Sequence, residues 1–293
     1  MVTEYRGPQH RKVEEEQYFT DPVIAEKFVS QIDSLYDISS YDIVLEPSAG
    51  SGNFLKYLPE ETRIGLDIEP QTDEVIQSDF FDWEPDDWNP LFGDTPKIIT
   101  IGNPPFGRNS DLALRFFHHA SQYSDVICFI IPITWVKYSI HKKLPSDFGL
   151  YYSEVLDPFG FIYPDGSRIK NEIRCVAQCW SRFNVGMNQR IYQKPKQHHP
   201  DFEVIKDDRD FDIWMAWWGS FHKEIFLPKE TDASSCFRKI KFHTPEAEKV
   251  FRSIEWKKET DYLNVGVWAL SEDTLVEKYE KMLISLDNSC QLR

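Results

Sequence analysis

The sequence predicts an α/β fold, a mostly parallel sheet with helices on both faces, followed by a smaller α+β region. Short apolar, β-rich runs alternate with helical or turn-rich segments through the first 189 residues. Several of these runs end in glycine, proline or an acid, the composition of strand ends that meet ligands in open α/β sheets. Between 189 and 200 the chain turns polar with scattered prolines, so residues 1–189 and 190–293 are read as separate domains.

Composition narrows the function. With 293 residues the chain can bury one large core, or one core and an appendage. Apolar residues at 41% and aromatics at 15% place it among folded proteins. A net charge of −15 argues against nucleic-acid binding through a broad basic surface, so any such contact is expected to be local. Residues 190–293 hold 17 Lys+Arg against 19 Asp+Glu, which leaves nearly all the negative charge in the first domain. The five cysteines show no zinc spacing, and Cys175 and Cys179 sit in an apolar run; reduced thiols and no metal site are expected. The polar start and the shortness of the best apolar run, 126–136, lead to the expectation of an intracellular protein without a membrane span.

Each element follows from local pattern. Thr20 or Asp21 caps an entry helix with Pro22 at its first position and an apolar stripe of Val23, Ile24, Phe28, Val29, Ile32 and Leu35. Residues 43–45 form a buried strand that runs into Glu46-Pro47-Ser48-Ala49-Gly50-Ser51-Gly52-Asn53-Phe54, read as a glycine turn opening a helix. A carboxylate before the glycines would repel a pyrophosphate but can pair with an ammonium group, so Glu46 favours an amino-acid-bearing nucleoside over a dinucleotide. The second strand, 63–68, carries Asp67, suited to accept ribose hydroxyls. The third, 74–77, leads to Asp79, a candidate acceptor for an adenine amine, with Phe80 to cover the ring. Each acid alone also reads as a solvated strand end; together they mark three successive strand ends.

The fourth strand, 97–101, ends in Gly102-Asn103-Pro104-Pro105-Phe106-Gly107. Consecutive prolines keep the backbone extended, so the Asn103 side-chain oxygen and the Pro104 carbonyl become fixed acceptors, with Phe106 a flat apolar face beside them. Two acceptors and a ring describe a receptor for a planar group bearing an NH2. The plain alternative is that the tetrapeptide only ends a strand. A helix over 112–120 follows, with His118 and His119 as ordinary helix residues. Strands are expected at 126–131, 150–156 and 173–180, with an aromatic loop between the last two that holds Phe161 and Tyr163. In the second domain Trp214, Trp217, Trp218 and Phe221 fall on one helical face, and Arg238-Lys239-Ile240-Lys241 is a compact basic cluster on a strand.

Glu46-Pro47-x-x-Gly50-x-Gly52-x-Phe54, Gly65-x-Asp67-Ile68-x-Pro70, Ser78-Asp79-Phe80 and Asn103-Pro104-Pro105-Phe106, in that order, resemble the S-adenosylmethionine-dependent N6-adenine methyltransferases. The entry Gln17-Tyr18-Phe19-Thr20-x-Pro22 resembles the gamma-class arrangement, catalytic domain first and target-recognition region after; the likeness covers about residues 14–183. It implies a Rossmann-like class I methyltransferase fold with a seven-stranded sheet, and S-adenosylmethionine as cofactor.

By that resemblance Thr20, Glu46 and the backbone of Pro47, Ser48, Ala49 and Gly50 hold the methionine part of the cofactor, Asp67 its ribose, and Ile68, Asp79 and Phe80 its adenine. Asn103 and Pro104, held by Pro105, would grip the target amine, with Phe106 stacked on the base; Tyr163 before Pro164, or its competitor Phe161, would supply a second aromatic face. The target is adenine in nucleic acid, with DNA favoured over structured RNA by Pro132-x-Thr134-Trp135 and the aromatic-Pro loop. The short second domain and acidic front depart from the gamma pattern and point to RNA, or to a partner chain that supplies nucleic-acid surface. A protein-glutamine methyltransferase and a catalytically silent scaffold subunit are the competing readings.

Overall fold

The computed structural model describes residues 19–86, 95–163, 165–170, 172–207, 209–218, 225–260 and 269–291. Two compact units emerge, Met1–Trp135 with Ser139–Arg190, and Val136–Tyr138 with Ile191–Arg293.

In the first unit a short strand β1 (Phe19–Thr20) precedes α1 (Pro22–Tyr36). The Asp21 carboxylate accepts the Val23 N–H at 2.9 Å and Pro22 fills the first turn, so cap and proline start the helix together. Its buried face is Ala25, Phe28, Val29, Ile32 and Tyr36; Val23, expected in the stripe, is 71% exposed. The strands that follow are β2 (Ile43–Glu46), β3 (Arg63–Asp67), β4 (Ile76–Gln77) and β5 (Ile98–Gly102). Helix α2 (Asp111–Ala120), β6 (Val126–Pro132), the single turn α3 (Tyr138–His141), β7 (Gly149–Val155), β8 (Phe161–Ile162) and β9 (Cys175–Ser181) complete the series.

The seven-stranded sheet has the order β4-β3-β2-β5-β6-β9-β7. Pairings from β4 through β6 are parallel, whereas β9 runs antiparallel to both β6 and β7. One reversed strand in an otherwise parallel doubly wound sheet is the Rossmann-like class I methyltransferase fold.

Alternation along β6 shows the two layers. Cys128 and Ile130 pack in the cluster that contains the α1 face. Phe129 points the other way, where its ring lies 6.4 Å from that of Phe117 on α2; Trp135, Phe148 and Trp180 close around Phe117 at 5.6–5.9 Å. Cys128 and Cys179 are register partners, both fully buried and both free thiols.

The segment after Gly52 corrects one expectation. In place of a helix there is only a 3-10 turn, Leu55–Tyr57. Pro59 follows almost at once and Leu58 is already extended, so too few residues remain for a helix to form.

The second unit is an antiparallel sheet of β10 (Phe202–Ile205), β11 (Ile213–Ala216), β12 (Phe226–Pro228) and β13 (Phe237–Phe242), in the order β10-β13-β11-β12. It carries α4 (Pro245–Ser253), α5 (Trp256–Thr260) and α6 (Glu272–Gln291). The tryptophan run is therefore not a helical face. Ile213 and Met215 alternate into the core while Trp214 turns the other way, its Nε1 donating to the Lys229 carbonyl at 3.2 Å. Phe221 lies outside the described residues. The apolar period of 2, carried by Ile and Met, outweighs the spacing of the tryptophans.

Two buried basic side chains brace the first unit. The Arg190 guanidinium donates to the carbonyls of His141, Leu144, Pro145 and Phe148. His141 is 1% exposed and donates from Nε2 to the Trp135 carbonyl at 2.8 Å. Burial, foremost, pushes its pKa down to about 4. The folded chain keeps His141 neutral while the unfolded chain takes up a proton below its ordinary value of 6.5. Stability from this group is thus complete above pH 6.5 and is lost as pH falls toward 4, by up to about 3 kcal/mol. Urea unfolding at pH 7, 5.5 and 4 should show that loss, and His141→Gln should flatten it.

Candidate active site

Because β2, β3 and β5 are parallel, their last residues Glu46, Asp67 and Gly102 lie along one edge of the sheet. Glu46 is 1% exposed. Burial drives its carboxyl well above the ordinary carboxylate range, with nearby Asp67 adding to the rise, while backbone amides of Leu55 and Phe54 oppose it. Its Oε2 is buried and without a hydrogen-bond partner among the described residues. A buried carboxylate oxygen left so is an acceptor site for a cation.

The glycine turn curls over this carboxylate. Gly50 has φ +50, and a Cβ there would stand 2.4 Å from Cε1 of Phe19. Its N–H donates to Oδ2 of Asp67 at 2.8 Å, and Oδ1 of Asp67 accepts the Glu69 N–H at 2.8 Å. Asp67 therefore shapes two turns, a task that spacing did not reveal. Pro47 and Ala49 are buried, and the Ser48 hydroxyl donates to the Asn103 carbonyl at 3.1 Å. That bond joins the glycine turn to the Asn-Pro-Pro turn.

Asn103 is half-buried with its Oδ1 shielded from solvent, Pro104 is buried and Pro105 is exposed. Phe106 is half-buried against the α1-side core, as is Tyr163. Thr20 is 2% exposed, and its Oγ1 has no hydrogen-bond partner among the described residues. Ile68 is 69% exposed at the tip beyond β3. Asp79 is exposed and accepts the Phe81 N–H at 2.9 Å, which caps the 3-10 turn Phe80–Asp82.

Two aromatic assignments are corrected. Phe80 is 2% exposed, its ring 5.1 Å from Phe116 and 4.7 Å from His119, so that ring belongs to a cluster under α2 and offers no face to an adenine. His119, expected as an ordinary helix residue, is part of the same cluster. Phe161 is 1% exposed on β8, opposite Thr20, and cannot stack on a base; Tyr163 is half-buried. Pro164, Gln17 and Tyr18 lie outside the described residues.

Sequence reasoning passed over Phe19 and Asn53. Phe19 covers Gly50, and Asn53 donates from Nδ2 to the Thr20 carbonyl at 3.0 Å. Both lie inside the quoted motifs, which was the available signal. Among the described residues no group of His, Cys, Asp and Glu could hold a metal ion, and no helix is long and apolar enough to cross a membrane.

No family model and no curated protein matches the chain. Among solved structures it is similar to a putative RNA methyltransferase, PH1948, from Pyrococcus horikoshii, at 19% identity over 61% of this chain and 92% of that one, TM-score 0.42. It is also similar to a putative class I S-adenosylmethionine-dependent methyltransferase, lmo1582, from Listeria monocytogenes, at 12% identity over 61% and 65%, TM-score 0.43. A third, the 23S rRNA methyltransferase ErmE, shares 13% identity over 57% and 70%, TM-score 0.38. All three likenesses are partial, and the fold assignment rests on strand order and direction in this chain.

Gly50→Ala should destabilise the protein by about 1–2 kcal/mol through its left-handed backbone alone, and by more through the Phe19 ring. In a thermal-unfolding cycle, Phe19→Ala should recover the second part and not the first.

Proposed function

We propose that this chain is an S-adenosylmethionine-dependent methyltransferase acting on the N6 amine of adenine in nucleic acid. The observation that supports the reading is the Ser48–Asn103 bond, which ties the turn bearing the Asn103 side chain and the Pro104 carbonyl to the turn that wraps a buried carboxylate. In this reading residues 1–189 form the catalytic domain and residues 190–293 a target-recognition or accessory region.

The donor set fits the cofactor. An aminoacyl ammonium would satisfy the open oxygens of Glu46 and Thr20 together. Pro47, Ser48, Ala49 and Gly50 give backbone contacts to that end of the molecule, Asp67 accepts from ribose, and Ile68 and Asp79 border the adenine. Bound S-adenosylmethionine supplies an electrophilic methyl group on sulfur. Asn103 Oδ1 and the Pro104 carbonyl accept the two N–H bonds of the target amine, which turns its lone pair out of conjugation with the ring. Pro105 keeps these acceptors from moving, and Phe106 and Tyr163 hold the base between them, offsetting the few kcal/mol needed to unstack it.

DNA is the first substrate form proposed, on the Pro132-x-Thr134-Trp135 stretch and the aromatic loop. A second reading, structured RNA or another unpaired strand, is favoured by the charge pattern of the second unit. Its basic cluster is already engaged: Lys241 bonds Asp210 and Asp212 at 3.0 Å and Lys239 donates to the Asp207 carbonyl at 2.7 Å, while Lys229, outside the cluster, also pairs with Asp210. Such a cluster gives a duplex little to wrap around.

Labelled methyl transfer to duplex DNA, single-stranded DNA and structured RNA, with the product nucleoside identified by mass spectrometry, tests the reading. N6-methyladenosine, or its deoxy form, is expected in one pool; binding of the cofactor with no transfer to any pool would contradict it. Asn103→Ala should lower kcat at least about 100-fold with cofactor affinity nearly unchanged, whereas Asp67→Ala should lose cofactor affinity.

Glu46 gives a pH dependence. A bound ammonium favours the ionised carboxylate, so a site whose carboxyl is pushed up releases a proton on binding, and affinity falls as pH falls. Calorimetry in buffers of different ionisation enthalpy should show net proton release for the wild type and none for Glu46→Gln. Equal release by both would remove Glu46 from the cofactor site.

A further inference from the structure

Resting on the methyltransferase reading, we infer that Asn53 is a positioning residue that couples cofactor binding to target-base binding through the β1–β8 strap. The strap is two residues on each strand, with Phe19 opposite Ile162 and Thr20 opposite Phe161. A ribbon so short has little stability of its own and takes its position from outside ties.

On one side the ties come from the glycine turn. Asn53 Nδ2 holds the Thr20 carbonyl at 3.0 Å, and the Phe19 ring rests on Gly50. On the other side the strap runs into the loop that holds Tyr163: Asp21 N–H donates to the Gly160 carbonyl at 3.1 Å, and Tyr163 N–H donates to the Ser167 carbonyl at 2.8 Å. Arg168 bridges back to Ile162 and also lies 3.9 Å from the Asp21 carboxylate. A continuous hydrogen-bonded path therefore runs from the turn that wraps Glu46, through Asn53 and Thr20, to Tyr163.

Each end of this path meets a different ligand in the proposed reaction. Ordering the glycine turn around the cofactor fixes Asn53, which fixes β1 and with it β8 and Tyr163. By linkage, a base bound at Tyr163 tightens the cofactor by the same factor. Asn53 itself touches neither ligand; it acts through the Thr20 carbonyl. Thr20 Oγ1, by contrast, is assigned to the cofactor itself in the proposed reading and is not needed for the coupling.

The test is a thermodynamic square. S-adenosylhomocysteine and a short adenine-containing oligonucleotide are titrated into the protein, each with and without the other. The wild type should show mutual enhancement of about fivefold or more. Asn53→Asp has the same shape without the donor. It should weaken S-adenosylhomocysteine about fivefold to tenfold and bring the mutual enhancement to about one. Thr20→Val should weaken S-adenosylhomocysteine and keep the enhancement.

Melting temperatures without ligand separate positioning from bulk support. Asn53→Asp and the second variant Asn53→Ala should melt within about 4 °C of wild type. Coupling retained in Asn53→Asp overturns the inference, and so does a larger melting loss in both variants. A wild type that binds no S-adenosylhomocysteine overturns the enzyme reading and the inference with it, and that result is distinguishable because it appears before any variant is made.

Discussion

The structure turns on one buried carboxylate. Glu46 ends β2 at 1% exposure, where an isolated charge is unfavourable by far more than a surface ion pair returns. The amides of Leu55 and Phe54 favour its ionised form, while Oε2 has no hydrogen-bond partner among the described residues. To bring those amides back, the glycine turn must fold over the strand end. That turn needs a left-handed Gly50, and Asp67 reaches across from β3 to hold its N–H. The Ser48 bond to Asn103 then ties the Asn-Pro-Pro turn to the same frame. Burial holds the Glu46 carboxyl well above the ordinary carboxylate range, and a cation placed beside it would favour the ionised form.

Much of this frame was legible in the sequence because strand ends carry local signatures. Apolar runs ending in Glu46, in Asp67 and in Gly102-Asn103-Pro104 marked three neighbouring strands, and parallel pairing brings their ends to one edge. What escaped local pattern was burial decided by distant partners. Phe80 reads like an exposed loop aromatic until Phe116 and His119 enclose it. Phe161 competes with Tyr163 in the sequence, and the pairing of β8 with β1 goes with a fully buried Phe161 and a half-buried Tyr163. The tryptophan run misled because four large aromatics matched a helical spacing while the smaller Ile213 and Met215 carried the true period.

The two units differ in how they handle charge. In the second, Lys229 just after β12 and Lys241 on β13 are matched by Asp210 and Asp212, a network that holds the sheet surface and leaves a weak field for a polyanion. The first unit bears most of the negative charge, and its buried cation Arg190 is spent on four backbone carbonyls. Under the proposed reading, recognition of a nucleic acid would depend on shape and stacking around Phe106 and Tyr163 more than on long-range attraction.

The most direct measurement is a crystal structure of the protein with S-adenosylhomocysteine and adenosine bound. The ammonium of the cofactor product should lie in hydrogen-bond reach of the Glu46 carboxylate and Thr20 Oγ1, with adenosine N6 in reach of Asn103 Oδ1 and the Pro104 carbonyl. Adenosine with N6 turned away from the Asn-Pro-Pro turn, or a cofactor product that leaves Glu46 without a partner, would contradict the assignment of this strand edge as one active site.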